Sequence, residues 1–299
     1  MSDAYAQRLA SFRKAHEFFV GIDSDGCVFD TMEIKHKECF IPNIIRHFGL
    51  QAVSKFARDA AEFVNLYSIW RGVNRFPALT RTLDLLEEHP AVRERGVTIP
   101  RLAALREWLT TEPKPANPSL EAAAGAARNG PAKELKAVLA WSVAVNDSIR
   151  DMVRGVPPFP HVRECLEAAA PQADIVVVSA TPTAALEQEW SEHNIARFAA
   201  VIAGQEMGTK ADHLRIAAAG KYAPQNVLMV GDAPGDLKAA RVNGFLFFPV
   251  NPGSEAESWD RFRREGLESF FAGRYAGAYE AERIKEFEAL LPDTPPWSR

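Results

Sequence analysis

Residues 18–30 read Phe18-Phe19-Val20-Gly21-Ile22-Asp23-Ser24-Asp25-Gly26-Cys27-Val28-Phe29-Asp30. The apolar run at the start of this stretch is typical of a buried strand. The strand ends in two carboxylates, Asp23 and Asp25, and burying a carboxylate costs several kcal/mol unless it is paired or holds a metal. Because open α/β sheets bind ligands at the carboxyl ends of their strands, the pattern predicts a functional site here. The alternative is a solvated acidic turn, which uses the same residue types.

Three further segments place polar side chains at or near the ends of predicted strands. The apolar run 175–178 is followed by Ser179-Ala180-Thr181, whose hydroxyls either cap a helix or, with helix-start amides, bind phosphate. Lys210 lies between the third and fourth predicted strands, at the start of a predicted helix. It is either part of the same site or a solvated surface charge. The apolar run 227–230 leads into Gly231-Asp232-Ala233-Pro234-Gly235-Asp236, so that carboxylates again follow a strand. Four such segments along one chain indicate a single site at one edge of a sheet.

Composition and charge indicate a globular chain without a general affinity for polyanions. The 299 residues are 47% hydrophobic and 25% charged, and the formal net charge is −4. This charge excludes a general attraction to nucleic acid or to an anionic membrane surface. Cys27, Cys39 and Cys165 are irregularly spaced, which argues against a disulfide framework and favours the cytoplasm. No apolar run approaches the roughly 20 residues of a membrane span, and the polar N-terminus argues against a signal peptide.

The order of predicted elements indicates a sheet domain with a helical insertion. From about Met32 to Met152 the periodicity is helical, although the Ala- and Gly-rich stretch 121–131 is predicted only as a loosely held helix or loop. From Gly155 onward strands alternate with helices, and residues from Asn251 are mostly helical. The predicted strands are 18–23, 174–179, 200–203, 226–231 and 245–250. Such alternation predicts an α/β fold with a parallel sheet covered on both faces.

Taken together and in this order, the four segments resemble the motifs of the haloacid dehalogenase superfamily. The insertion after the first motif resembles the helical cap of its β-phosphoglucomutase and phosphoglycolate phosphatase-like members. The resemblance implies a Rossmann-like three-layer core with strand order 3-2-1-4-5. That core would comprise residues 1–30 and 155–299, including a C-terminal helical extension at 251–299, and residues 31–154 would form an all-helical cap domain.

The same resemblance implies a Mg²⁺-dependent phosphatase. Asp23 would be the nucleophile that forms an aspartyl-phosphate, Asp25 the general acid and base, and Lys210 the cation that neutralises phosphoryl oxygens. The implied metal ligands are Asp23, Asp232 and the backbone carbonyl of Asp25, with Asp236 supporting a metal-bound water or Lys210. The implied phosphate-binding residues are Gly26, Ser179, Ala180, Thr181 and Lys210. The chain departs from many relatives in following Lys210 with Ala211-Asp212 rather than a proline pattern, which leaves Lys221 as the fallback lysine.

Within the helical block, the segment Trp70-Arg71-Gly72-Val73-Asn74-Arg75-Phe76 interrupts two helices. It resembles the substrate loop in the caps of β-phosphoglucomutase and its relatives. This implies that Arg71, Asn74 or Arg75 contacts the substrate, since guanidinium groups suit anions. His36, which follows the first motif, is a further candidate for substrate contact. The alternative is a plain interhelical turn with solvated arginines.

The function predicted from the sequence is therefore hydrolysis of a small phosphorylated metabolite in the cytoplasm. The closest enzymatic alternative is a phosphomutase, which shares the four core motifs and would retain the phosphate between substrate and product. An alternative of another class is a non-catalytic relative that binds a phosphorylated ligand or a protein partner. Neither a nucleic acid nor a membrane is expected as a partner.

Overall fold

One domain of the chain is built on a five-stranded parallel sheet. The computed structural model describes residues 2–298. The strands are β1 (Phe18–Ile22), β2 (Ala173–Val178), β3 (Ala199–Ala203), β4 (Val227–Gly231) and β5 (Leu246–Pro249). Their order across the sheet is β3-β2-β1-β4-β5, and every neighbouring pair is parallel. The predicted fold class and strand order are thus confirmed.

Both faces of this sheet are covered, as expected for strands that are apolar along nearly their whole length, Asp174 in β2 being a charged exception. In β2 every residue from Ala173 to Val178 is buried. Alternate strand residues enter two separate apolar cores, so that Ile175 and Val177 pack on one face and Val176 and Val178 on the other. One core includes Trp190 and Trp259, and the other includes Leu214 and Phe287. The arrangement is a three-layer α/β sandwich.

The helices of this domain precede β1, connect the later strands and follow β5 along the chain. They are Ser2–Ala10, Val162–Ala169, Thr183–Glu192, Lys210–Ala218, Pro234–Val242, Glu255–Arg261, Leu267–Phe271 and Ala278–Leu290. Contacts group the residues up to Met32 with Gly155–Leu291 in one compact unit. Helices and strands alternate from β2 to β5, which is the connectivity that parallel strands require.

The second compact unit is helical and comprises Glu33–Arg154 together with the residues from Pro292 onward. Its helices are Ile41–His47, Ser54–Leu66, Arg75–Glu88, Pro90–Glu94, Ala103–Thr111, Asn117–Ala126 and Asn129–Met152, with a π-helical turn at Lys35–Phe40, and the short helix Thr31–Ile34 spans the boundary. Its core includes Phe76, Trp108 and Trp141. The Ala- and Gly-rich stretch is helical except near residues 127–128.

The C-terminal residues divide between the two units, which differs from the expected single extension at 251–299. Helices from Glu255 to Leu290 belong with the sheet, whereas Pro292 and the following residues group with the helical unit. There Trp297 packs against Phe63 and His89, with ring centroids 5.8 Å and 5.3 Å apart. The terminal residues of the predicted ranges, Met1 and Arg299, lie outside the described residues. Among residues 2–298 no helix is both long and apolar enough to cross a membrane.

Candidate active site

The predicted site residues of the sheet domain follow strands that are direct neighbours. Asp23 follows β1, which lies between β2 and β4, and Ser179 and Asp232 follow those two strands. The backbone amide of Asp23 donates to the carbonyl of Val230 at 3.0 Å, so the end of β1 is held against the end of β4. Because parallel strands end at one edge of a sheet, the loops after them converge on one crevice.

Asp23 is a buried carboxylate with two fixed donors. The residue is only 4% exposed. One carboxylate oxygen accepts from the backbone amide of Ser24 at 2.8 Å, and the other accepts from the ammonium of Lys210 at 2.7 Å. Burial, opposed by Lys210 and reinforced by the charge of Asp236, raises the pKa of Asp23 to about 6. The group is therefore costly to keep ionised without a further cation.

Lys210 joins two carboxylates that come from different strands. Its Nζ lies 2.7 Å from Asp23 and 2.6 Å from Asp236. The burial of this lysine would lower its pKa, but the two carboxylates outweigh that effect and raise it. The lysine begins the helix Lys210–Ala218 after β3, and Thr209 caps that helix by accepting from the amide of Asp212. Lys210 is thus held as a cation. The fallback residue Lys221 instead donates to the carbonyls of Phe12 and Ile216.

Asp236 reaches this cluster because Gly231 leaves space for it. Its carboxylate accepts from Lys210 through one oxygen and from the backbone amide of Ala233, at 3.1 Å, through the other. A Cβ atom on Gly231 would lie 2.5 Å from Cβ and Cγ of Asp236, closer than such atoms can approach. Burial raises the pKa of Asp236, and Lys210 opposes that shift. The side chain of Asp236 can therefore take this position only because residue 231 is a glycine.

The cluster contains a donor set that can hold a metal ion. One carboxylate oxygen from each of Asp23, Asp232 and Asp236 lies within 4.8 Å of the other two, and all three residues are buried. Hard oxygen donors of this kind suit Mg²⁺ and Ca²⁺. Burying three carboxylates in one cluster is costly, and a divalent cation would offset part of their negative charge together with Lys210. The donor set therefore fits the implied cofactor.

Asp25 is held by two hydroxyl groups. One carboxylate oxygen accepts from Thr31 at 2.5 Å, and the other accepts from Thr181 at 2.7 Å. The hydroxyl of Thr181 is thus directed to Asp25 rather than left open for a ligand. Sequence analysis missed Thr31, although its position at the start of the helix after the first motif makes its hydroxyl a natural partner for a nearby carboxylate.

The remaining predicted phosphate-binding residues lie on the same loops. Ser179 is buried, and its hydroxyl accepts from the backbone amide of Thr181 at 3.2 Å. Ala180 is exposed between them. The amide of Gly26 donates to the carbonyl of Phe29 at 2.8 Å, within its own loop.

The loop between Asp23 and Asp25 has a partner that the sequence did not indicate. The indole NH of Trp190 donates to the hydroxyl of the fully buried Ser24 at 3.0 Å, and that hydroxyl lies 3.2 Å from Glu189. Trp190 lies near the end of the helix that follows β2 and Ser179. A tryptophan near the end of a helix carries no signal for such a contact, because the pairing depends on the packing of that helix against the sheet.

The four residues predicted to contact substrate from the helical domain all have partners inside that domain. Arg71 is 2% exposed and donates to the carbonyl of Leu66 at 3.0 Å. Asn74 caps the helix Arg75–Glu88 by accepting from the amide of Phe76, and it donates to Pro115.

The other two of these residues are packed against the same ring. The imidazole of His36 stacks on Phe40 with centroids 4.6 Å apart, and the guanidinium of Arg75 lies 5.1 Å from the centroid of that ring. Arg75 also donates to Ser142 at 2.9 Å and to Asn146 at 2.7 Å. Burial lowers the pKa of Arg75 to about 10. These contacts give both residues a structural role, and substrate contact by any of the four remains a prediction.

One family model matches part of the chain. Residues 117–250 match the family model described as haloacid dehalogenase-like hydrolase, a range that includes Ser179, Lys210 and Asp232 but not Asp23. No curated protein sequence matches the chain.

Several solved structures resemble the chain at low sequence identity. A putative phosphoglycolate phosphatase from Lactobacillus delbrueckii subsp. bulgaricus is 16% identical, with a TM-score of 0.48, over 85% of this chain and 98% of that one. A putative β-phosphoglucomutase from Bacteroides vulgatus is 14% identical, with a TM-score of 0.46, over 91% of this chain and 97% of that one. A haloacid dehalogenase-like family hydrolase from Streptococcus pneumoniae is 15% identical, with a TM-score of 0.44, over 85% and 97% of the two chains.

The residues matched by the family model lie in the same sheet as the strand that precedes Asp23. The matched range contributes β2 to β5, and β1 enters the same sheet between β2 and β4. Lys210, inside the range, is bonded to Asp23, outside it. Residues 117–250 are thus similar to the haloacid dehalogenase-like hydrolase family, and the sheet that they build includes the strand that carries Asp23.

Proposed function

We propose that the protein is a Mg²⁺-dependent phosphatase that hydrolyses a small phosphorylated metabolite through an aspartyl-phosphate on Asp23. The observation that carries the proposal is the bridge from Lys210 to Asp23 and Asp236, with Asp232 close enough to share a cation with them. A nucleophilic carboxylate held beside a fixed ammonium suits phosphoryl transfer, in which catalysis is mainly positioning and charge neutralisation.

In the first step a carboxylate oxygen of Asp23 forms a bond to phosphorus, and the bond from phosphorus to the ester oxygen breaks. Asp25, in its protonated form, donates its proton to the departing oxygen. In the second step Asp25, now a carboxylate, takes a proton from water, whose oxygen bonds to phosphorus and releases Asp23 and orthophosphate. Thr31 and Thr181 support this role because their hydroxyls fix the orientation of the Asp25 carboxylate.

The other residues of the cluster stabilise charge. Lys210 is placed to pair with phosphoryl oxygens as well as with Asp23. Asp23, Asp232 and the backbone carbonyl of Asp25 would hold Mg²⁺, and the bound ion would supply positive charge to the phosphoryl oxygens. Asp236 would hold Lys210 or support a metal-bound water, since one of its oxygens accepts from that ammonium and the other from the backbone amide of Ala233.

The substrate class and the compartment are part of the same proposal. We infer a small metabolite from the proposed chemistry. The three cysteines Cys27, Cys39 and Cys165 are buried free thiols, which accords with a reducing compartment such as the cytoplasm.

The test is release of orthophosphate from p-nitrophenyl phosphate and from a panel of phosphorylated metabolites in the presence of Mg²⁺. Wild type should release phosphate, and Asp23→Asn should lower kcat by on the order of 10⁴-fold. Asp147→Asn is the matched control, because Asp147 is half-exposed in a surface ion pair with Arg150. Equal rates for wild type and Asp23→Asn would refute the nucleophile assignment. Isomerisation of a sugar phosphate without phosphate release would refute the phosphatase.

A further inference from the structure

Glu206 lies on the loop between β3 and Lys210 and caps a helix from another part of the chain. One of its carboxylate oxygens accepts from the backbone amide of Thr183 at 3.0 Å and from the Thr183 hydroxyl at 2.7 Å. Thr183 is fully buried and begins the helix Thr183–Glu192 that follows Ser179 and Thr181. A carboxylate at the start of a helix satisfies an amide that the helix leaves open and opposes its positive end.

The electrostatics of Glu206 agree with a fixed anion. Burial would raise its pKa, but the hydrogen bonds from the hydroxyl and amide of Thr183 outweigh that effect and lower it. Glu206 is therefore ionised at neutral pH, and the helix start is already occupied by a protein carboxylate. This carboxylate comes from the loop that leads to Lys210.

The two loops are in direct contact beside this pair. The amide of Gln205 donates to the carbonyl of Thr181 at 3.0 Å. A Cβ atom on Gly204 would lie 2.5 Å from the amide nitrogen of Thr183 and 2.6 Å from the carbonyl oxygen of Thr181. Only glycine permits so close an approach, so residues 204–206 and 181–183 form one packed unit.

Each loop also carries a side chain that reaches the proposed catalytic carboxylates. Thr181 donates to Asp25 at 2.7 Å, and Lys210, four residues after Glu206, donates to Asp23 at 2.7 Å. A shift of either loop would move one of these donors relative to the other. Misplacement of catalytic groups by about 1 Å can lower rates about 10²-fold.

We propose that Glu206 is a positioning residue that fixes the loop of Thr181 and the loop of Lys210 in register, and so aligns Asp25 with Asp23. The inference rests on the proposed phosphatase function. Glu206 acts through Thr183, and its side-chain length matters more than its charge, because the contact consists of two hydrogen bonds to one oxygen.

The first test is kinetic, with p-nitrophenyl phosphate and Mg²⁺. Glu206→Ala should lower kcat by about 10- to 100-fold and change KM by less than about 3-fold. Glu206→Gln keeps an acceptor at the same distance and should recover kcat to within about 3-fold of wild type. Glu206→Asp is too short to reach Thr183 and should resemble Glu206→Ala. Loss of activity in Glu206→Gln equal to that in Glu206→Ala would overturn the proposal.

The matched control is Glu134→Ala. Glu134 also caps a helix from a distant position, since it accepts from the amide of Leu105 at 3.0 Å at the start of Ala103–Thr111. The Glu134→Ala variant should lower thermal stability about as much as Glu206→Ala does, without lowering kcat. Equal losses of kcat in the two variants would overturn the positioning role.

The second test uses amide hydrogen exchange of the metal-free protein and needs no turnover. Glu206→Ala should accelerate exchange at least about 10-fold in both segments, residues 181–186 and residues 204–210, whereas Glu134→Ala should change neither. Acceleration confined to residues 181–186 would mean that Glu206 caps a helix and nothing more. If wild type releases no phosphate from any substrate, the proposed function fails, while the exchange result still decides whether Glu206 couples the loops.

Discussion

The ammonium of Lys210 lies 2.7 Å from the carboxylate of Asp23, although 187 residues separate them in the chain. The contact joins the loop after β1 to the helix after β3, and both follow the carboxyl ends of strands that run parallel on either side of β2. The site thus brings the partly buried ammonium of Lys210 together with the three buried carboxylates of Asp23, Asp232 and Asp236. The energetic balance of these four groups determines how the protein should respond to pH, metal and substitution.

The first prediction concerns the stability of Asp23→Asn in the absence of metal. Because the pKa of Asp23 rises to about 6, its contribution to folding is present below the unfolded value of about 3.9 and is lost as pH rises through about 6. Above pH 6 the burial of the ionised Asp23 therefore lowers the free energy of unfolding of wild type by up to about 3 kcal/mol, a cost that a neutral asparagine avoids. Asp23→Asn should be more stable than wild type at pH 7.5, by about 2 to 3 kcal/mol.

The measurement is urea denaturation of both proteins with a chelator present, from pH 4 to pH 8. The advantage of Asp23→Asn should shrink toward pH 4, where the carboxyl group of Asp23 is protonated in the folded state and about half protonated in the unfolded state. Comparing the two proteins cancels the titration of other groups, such as Asp174 and Glu206. A difference in unfolding free energy that stays constant across this range would contradict the assigned shift.

The second prediction concerns Mg²⁺. A cation that binds the folded state alone stabilises it by about 2.7 kcal/mol when its concentration is 100 times Kd. Wild type should therefore melt at least about 5 °C higher in saturating Mg²⁺ than in chelator. Asp232→Asn should lose most of this rise, whereas Asp147→Asn, on the surface, should keep it. An equal rise in all three proteins would place the ion elsewhere.

The sequence carried enough information to predict the sheet and the residues at its edge. β1, β2 and β4 are largely apolar runs, each followed directly by a polar residue, and such runs are recognisable because both faces of each strand are buried. Asp23 and Asp232 could be located because they directly follow these runs. The bonds made by Lys210 needed the family resemblance, since a lysine at the start of a helix has no local feature that identifies its partner.

The helical domain was harder to interpret because its contacts are distant in sequence. The partners of Arg75 are Ser142 and Asn146, 67 and 71 residues further along the chain, so neither could be assigned from the local pattern. The Ala- and Gly-rich stretch has a mixed local preference, because its alanines favour a helix whereas Gly125, Gly130 and Pro131 disfavour one. It is helical in the structure because Leu120 and Ala124, one turn apart, are buried in the core of this domain.

The third prediction separates a structural role of Arg75 from substrate contact. Arg75→Met removes a buried guanidinium whose partners are Ser142 and Asn146, and leaves their oxygens without that donor. It should lower the free energy of unfolding by about 2 to 4 kcal/mol. The folded fraction should keep kcat/KM for phosphorylated substrates within about 3-fold of wild type. A KM at least 10-fold higher at unchanged stability would instead assign Arg75 to the substrate.

The fourth prediction uses two glycines of the loop after β4. Gly231→Ala places a Cβ 2.5 Å from Asp236, so that carboxylate must leave Lys210 or the strand must shift. Stability should fall by about 2 to 4 kcal/mol, and kcat by about 10²-fold, because Lys210 loses the group that orients it. Gly235→Ala is the matched control, since a Cβ there meets nothing within 4 Å and lies in the helix Pro234–Val242, where alanine is favoured by up to about 1 kcal/mol. The measurements are urea denaturation and phosphate release for both variants. Equal activity of Gly231→Ala and Gly235→Ala would contradict the role given to Gly231.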